Sequence, residues 1–260
     1  MKYKNFEGSV DNLVQIKLAE IEKIHNIRIV YAVESGSRAW GFASPDSDYD
    51  VRFIYLRSKN EYLSLEPQQR DYVDGVLDDI LDINGWDLRK FLQQMHRSNA
   101  SVFEWIHSPI QYKEDKMINE IRSISNYYFF PKPFLHHYFG MAKNNYLSYL
   151  NRDYVKYKKY FYVLRPLLAC QWIVSENTVP PVLFQSLLDH FDMPDIKNAI
   201  HDLQLKKIKM TEAEEGPICP IVHGFIKEQL AWYESYISSL ENAKCNDWNE
   251  LNNLFLKFIS

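Results

Sequence analysis

Cysteine is scarce in this chain: Cys170, Cys219 and Cys245 are the only three among 260 residues. An odd number at such wide spacing excludes a disulfide framework and a cysteine-ligated zinc site, and it fits a reducing cytoplasm. No apolar run approaches the ~20 residues that a membrane-spanning helix needs, so no membrane partner is expected. The opening Met-Lys-Tyr-Lys-Asn-Phe-Glu lacks the apolar core of a secretory signal. Positive charge is not in surplus either, with 30 Lys and Arg against 34 Asp and Glu for a net charge of −4. Such a chain has no global attraction for nucleic acid, and binding RNA would require a local basic patch. Repeats of fixed period and low-complexity linkers are also missing, so any two parts are expected to pack together around a cleft.

What is present is the composition of an ordinary globular protein, 46% hydrophobic and 25% charged. The length allows a sizeable core and two domains. Val14, Leu18 and Ile21 recur at helical spacing within residues 12–26, which lead into a strand over 27–33. A second strand spans 51–56. Within 70–83, Asp74-Gly75 between apolar runs predicts a hairpin turn followed by a strand carrying Asp82, which Gly85 should break. Leu88, Phe91, Leu92 and Met95 fall at i, i+3, i+4 and i+7, which predicts an amphipathic helix over 87–97. Ser101 with Glu104 reads as a capping box for a further helix ended by Pro109. After about residue 125 the texture changes: helical patterns over 135–151, 154–175, 182–191, 195–209, 221–240 and 247–258 follow one another without strand alternation. The expected division is therefore 1–125, mixing strands and helices, and 126–260, an α-helical domain.

The chemistry concentrates in residues 34–55. The strand over 27–33 ends in Ser35-Gly36-Ser37, whose glycine permits close backbone approach and whose amides, with the Ser37 hydroxyl, can cradle a phosphate. Asp48 and Asp50 stand two apart at the head of the next strand, a spacing that points both carboxylates to one face with Cα atoms roughly 7 Å apart. Hard oxygen donors arranged in this way suit Mg²⁺, with Mn²⁺ as a substitute.

Gly36-Ser37 followed by Asp48-Tyr49-Asp50 resembles the Gly-Ser and Asp-x-Asp motif of the polymerase β superfamily of nucleotidyltransferases. The fuller Gly-Ser-Arg-Ala-x-Gly…Ser-Asp-x-Asp form is similar to that of small nucleotidyltransferases related to the aminoglycoside enzymes and to toxin–antitoxin pairs. The runs Leu81-Asp82-Ile83-Asn84-Gly85-Trp86-Asp87-Leu88-Arg89-Lys90-Phe91 and Glu104-Trp105-Ile106-His107-Ser108-Pro109 resemble a bacterial predicted-nucleotidyltransferase family with an RNA-repair branch. The resemblance implies an α+β fold, a polymerase β-like mixed sheet with helices followed by an α-helical domain. It also implies a third acid on a later strand, carried here to Asp82 with Asp79 as the alternative. Asp48, Asp50 and Asp82 are then the expected catalytic and metal-binding residues, and two metal ions about 3.5–4 Å apart would stabilise the attacking and leaving oxygens.

Gly36 and Ser37 would hold the β and γ phosphates of a nucleoside triphosphate. Arg38 would clamp the triphosphate or pair with surface acids. Lys158 and Arg165, at i and i+7 beside the apolar Tyr157, Phe161, Leu164 and Leu168, read as either a solvated basic face or a phosphate contact across the cleft, and Lys90 has similar standing. His136, His137 and the other histidines lack ligand spacing. Two classes of function follow: an enzyme moving a nucleoside monophosphate to RNA, protein or a small hydroxyl compound, and a nucleotide-sensing or partner-binding module with the same fold.

Overall fold

In a computed structural model, the described residues are 9–44, 47–66, 70–77, 80–209, 214–241 and 246–260. They form two compact units, Met1–Tyr128 with Cys245–Ser260, and Phe129–Lys244. The C-terminal segment thus returns to the first unit, where a single cut at 125 had been expected.

The elements of the first unit are α1 (Val10–His25), β1 (Arg28–Glu34), α2 (Gly36–Ala39), β2 (Tyr49–Leu56), α3 (Lys59–Leu63), β3 (Tyr72–Leu77), β4 (Leu81–Asp87), α4 (Leu88–His96), α5 (Ala100–Ile106), β5 (Gln111–Glu114) and α6 (Met117–Ser125). The second unit holds α7 (Pro131–Asn145), β6 (Tyr154–Val155), α8 (Lys158–Glu176), α9 (Phe184–His190), α10 (Pro194–Lys209), β7 (Gly216–Pro217) and α11 (Pro220–Ser239), and α12 (Asn249–Ile259) belongs to the first again. A five-stranded mixed sheet runs in the order β3-β4-β2-β1-β5. Its pairs are antiparallel except β2 with β4, which run parallel in the register Asp50 to Asp82. The fold class is α+β, as expected.

Period-two alternation sorts the sheet. Val51, Phe53 and Tyr55 of β2 and Leu81 and Ile83 of β4 join Leu13, Val14, Leu18 and Ile21 of α1 in one core. The opposite set, Asp50, Arg52 and Ile54 with Asp82, Asn84 and Trp86, shares the other face, and the Trp86 ring packs against Trp105 of α5 at a 45° tilt. Parallel pairing therefore places the two aspartates side by side at the N-terminal ends of adjacent strands.

Three local expectations are corrected. Asp74-Gly75 makes no turn: both lie inside β3, where the register slips between Asp74 and Val76 in a bulge. Gly85 does not break its strand, because β4 continues to Asp87 and the glycine makes room for the Phe53 ring, which a Cβ would meet at 2.2 Å. The cap of α5 is Asn99, whose side chain accepts from the Ser101 N–H, so Ser101 lies within the helix.

Among its described residues, the regular elements of the second unit are helices apart from the two-residue pair β6 and β7. A π-helical turn over Tyr146–Leu150 extends α7, and Pro166 is accommodated inside α8. Among the described residues no helix is long and apolar enough to cross a membrane. Cys170 and Cys219 are free thiols, and Cys245 lies outside the described residues.

Candidate active site

The site is built where β1 ends and β2 begins. Gly36 adopts φ +61, a left-handed conformation that favours glycine. Its backbone lies against the Asp50 carboxylate so closely that a Cβ there would stand 2.2 Å from Oδ2. This close approach is the structural use of the Gly-Ser turn. Ser37 follows it, buried at 7% exposure, in the single turn of α2.

Asp50 and Asp82 are register partners and are bridged by one cation: Arg52 Nη2 donates to Asp82 Oδ2 at 2.7 Å and to Asp50 Oδ1 at 3.4 Å. Arg52 Nη1 donates to the Asp82 carbonyl at 2.8 Å, and Asn84 Nδ2 to Asp82 Oδ1 at 3.2 Å. Each aspartate side chain keeps 32% of its surface exposed. Burial raises the Asp50 carboxyl above the ordinary carboxylate value, Arg52 opposes this, and the negative charges of Asp82 and Asp48 add to it.

Asp48 sits in the loop just ahead of β2 and is exposed. Among the described residues no three His, Cys, Asp or Glu side chains are gathered so as to hold a metal ion. The anticipated trio of acids is thus a converging pair, Asp50 and Asp82, with Asp48 at the loop edge. The donor chemistry nonetheless fits a hard divalent cation: two carboxylates share a face, and the charge crowding on Asp50 is of the kind a cation relieves. Asp79, the alternative acid, lies outside the described residues.

Arg38 is committed to local structure. Its Nη2 donates to the Ser47 carbonyl at 2.7 Å and its Nε to the Asp48 carbonyl at 3.1 Å, with the guanidinium 3.7 Å from the Tyr49 ring centroid. It ties the loop carrying Asp48 to α2. Its charge also lowers the carboxyls of Glu34 and Asp50.

Glu34, Tyr112, Arg52 and Asn84 were not singled out in the sequence. Glu34 is 1% exposed; its Oε1 accepts the Asp50 N–H at 2.8 Å and its Oε2 the Tyr112 hydroxyl. Burial raises the Glu34 carboxyl, and these two bonds work against that rise. The Ser108 hydroxyl donates to the Glu34 carbonyl at 2.6 Å, locking the end of β1. Arg52 was within reach of sequence reasoning, since period two from Asp50 places it on the same face. Glu34 and Tyr112 were not, because their meeting depends on β1 pairing with β5.

Three basic candidates remain. Lys90 follows β4, at the opposite end of that strand from Asp82, and pairs with Asp71 at 3.0 Å. Arg165 is wholly buried inside the second unit, its Nε donating to the Val182 carbonyl at 3.2 Å, so it presents no exposed basic edge. Helix α8 places position 165 among its packed residues, where a stripe drawn from spacing alone had put it at the margin. Lys158, at the start of α8, is half-buried.

The RNA repair pathway DNA polymerase beta family matches residues 10–257 of the chain. An uncharacterized protein of Bacillus subtilis strain 168, YcgL, is 41% identical over 245 residues, spanning 94% of each chain. A crystal structure of a nucleotidyltransferase-like protein from Exiguobacterium sibiricum 255-15 aligns over 89% of this chain and 75% of its own, at 11% identity and a TM-score of 0.32.

Proposed function

The chain belongs to the RNA repair pathway DNA polymerase beta family, and we propose that it is a metal-dependent nucleotidyltransferase. In this reading it moves a nucleoside monophosphate from a nucleoside triphosphate to a hydroxyl on an RNA end, a protein or a small molecule, releasing pyrophosphate. The observation that carries the reading is the meeting of Asp50 and Asp82 in register beside the left-handed Gly36. With no side chain on Gly36, the backbone of the turn and the Asp50 carboxylate stand side by side, so that one ligand could meet both.

Asp50 and Asp82, with Asp48 at the rim, would hold Mg²⁺ or Mn²⁺. Bound there, the ion would supply charge neutralisation for the phosphoryl oxygens. The protein's own groups do the positioning. Arg38 holds the loop that delivers Asp48 and Asp50, Glu34 fixes the Asp50 amide, and Arg52 bridges the two carboxylates. Gly36 and Ser37 would receive the distal phosphates, and either carboxylate could accept the proton of the attacking hydroxyl. Free Cys170 and Cys219 suit a cytoplasmic setting.

One observation favours a second reading, a nucleotide-sensing or partner-binding module. Arg52 already pairs with both carboxylates, and Asp48 is not gathered with them. The two readings separate in one experiment. Purified protein is incubated with each α-labelled triphosphate and Mg²⁺ in the presence of pooled RNA, cell protein and small hydroxyl compounds. Metal-dependent label in one fraction, lost in Asp50→Asn and Asp82→Asn, supports the enzyme. Triphosphate binding by calorimetry without transfer supports the module, and absence of both overturns either reading.

A further inference from the structure

A second recess lies at the opposite end of the same strands. From Asp82 to Asp87 is five residues along β4, about 17 Å at ~3.3 Å per residue, so a small molecule there cannot touch the aspartate pair. A cavity of about 300 Å³ is lined by the bases Arg57, Arg89 and Lys90 and the acids Glu61, Glu66, Asp71 and Asp87, together with Tyr62, Ser64 and Gln93, and one of about 330 Å³ includes Arg89, Leu92, Gln93, Trp248, Leu251 and Phe255 in its lining. Arg89 and Gln93 line both, so the recesses adjoin: one is charged, the other apolar.

The charges in the first recess are unequally committed. Arg57 has Glu61 at 3.6 Å and Asp87 at 3.7 Å, and Lys90 has Asp71 at 3.0 Å. Asp87 also caps α4 through the Arg89 N–H at 2.8 Å and accepts the Tyr62 hydroxyl at 3.0 Å. The guanidinium of Arg89 differs: among the described residues no carboxylate lies within ion-pair distance of it. It rests 5.1 Å from the Tyr62 ring centroid and 5.3 Å from that of Phe255, with one bond, to the Tyr62 carbonyl at 3.4 Å. Those two rings meet edge to face at 5.1 Å and seat the cation, and with one hydrogen bond, to the Tyr62 carbonyl, the guanidinium keeps N–H donors for an anion.

The apolar recess is preorganised as well. Trp248 stays 43% exposed, yet its ring is stacked on His96 at 3.5 Å and 6°, and His96 Nε2 bonds to the Asn246 carbonyl at 2.9 Å. A rigid, half-open indole beside buried Leu251 offers a flat apolar surface at small entropic cost to a ligand.

We propose that these joined recesses bind a small aromatic molecule bearing a phosphate group, the phosphate on Arg89 and the ring system against Trp248, Leu92 and Phe255. The site stands apart from the carboxylate end and does not rest on transferase activity. The test is calorimetry with 1-naphthyl phosphate, with inorganic phosphate and 1-naphthol as half-ligands, and circular dichroism as the check that each variant is folded. Saturable one-to-one binding is expected, stronger than either half-ligand alone, weakened at least tenfold by Arg89→Gln and by Trp248→Ala, and unchanged by Asp50→Asn. Should Arg89→Gln fail to fold, Trp248→Ala carries the comparison. The proposal is overturned by no binding at millimolar probe, by inorganic phosphate binding as well as the aromatic ester, by Trp248→Ala or a folded Arg89→Gln binding like the parent, or by loss of binding in Asp50→Asn.

Discussion

Replacing Gly36 by alanine separates two costs that the structure superimposes. The first is conformational: at φ +61 a side-chain-bearing residue costs roughly 1–2 kcal/mol whatever surrounds it. The second is steric, because the new Cβ would stand 2.2 Å from Asp50 Oδ2 and 3.0 Å from its Cγ. The obstacle is the end of a side chain with 32% of its surface exposed, so it can turn aside. Turning aside means leaving a preferred rotamer, about 0.5–1.5 kcal/mol, and giving up the hold of Arg52. The total loss should be about 2–3 kcal/mol. Activity should suffer more than stability, since a displacement near 1 Å of a reacting group costs on the order of 100-fold in rate. The assay is a double-mutant cycle by urea unfolding: Gly36→Ala in the parent and in Asp50→Ala. In the second background the carboxylate is gone and only the conformational cost remains, so the two losses should differ by about 1 kcal/mol. Equal losses in both backgrounds, or full nucleotidyl transfer in Gly36→Ala, would refute the reasoning.

Arg52→Gln should cost about 1–2 kcal/mol by leaving two half-buried carboxylates without their shared cation, and the same change in an Asp50→Asn/Asp82→Asn chain should cost markedly less; chemical unfolding reads both. Glu34→Ala should destabilise by about 1–3 kcal/mol, because the Asp50 amide and the Tyr112 hydroxyl lose their acceptor, whereas Glu34→Gln, which keeps an acceptor and removes a carboxylate disfavoured by burial, should lie within about 1 kcal/mol of the parent in thermal unfolding. Gly85→Ala should cost about 1–3 kcal/mol through its clash with the Phe53 ring, and Phe53→Leu in the same chain should recover part of that loss. Asp87 supplies the pH test: burial raises its carboxyl above the ordinary 3.8, with the Arg89 N–H, the Tyr62 hydroxyl and Arg57 opposing. A raised carboxyl binds its proton more tightly folded than unfolded, so ionised Asp87 weakens folding above its raised value and the penalty vanishes below 3.8. Asp87→Asn keeps the helix cap, so its stability relative to the parent should improve as pH rises through that window, and the opposite slope in urea unfolding at successive pH values would count against the assignment.

Much of the first unit could be read from local pattern alone. The helical period of Val14, Leu18 and Ile21 and the apolar run of β1 reflect constraints within one segment, and so does the left-handed turn that only Gly36 accepts cheaply. The pairing of Asp50 with Asp82 could be named through a family resemblance, but its register is a property of two distant strands aligning in parallel. Gly75 and Gly85 show the limit from the other side. Both looked like punctuation, yet β-ladder bonds to neighbouring strands carry the chain through them, and one leaves space for a ring from β2. Arg165 was placed at the edge of a stripe by spacing, although burial depends on which neighbours close over a helix, and those neighbours come from distant sequence. Glu34 carried no local signal because its role needs the Asp50 amide and the Tyr112 hydroxyl, brought together by β2 and β5 flanking β1. Segments announce their own conformation through period and backbone preference, while charge partners and burial are set by segments far apart in the chain.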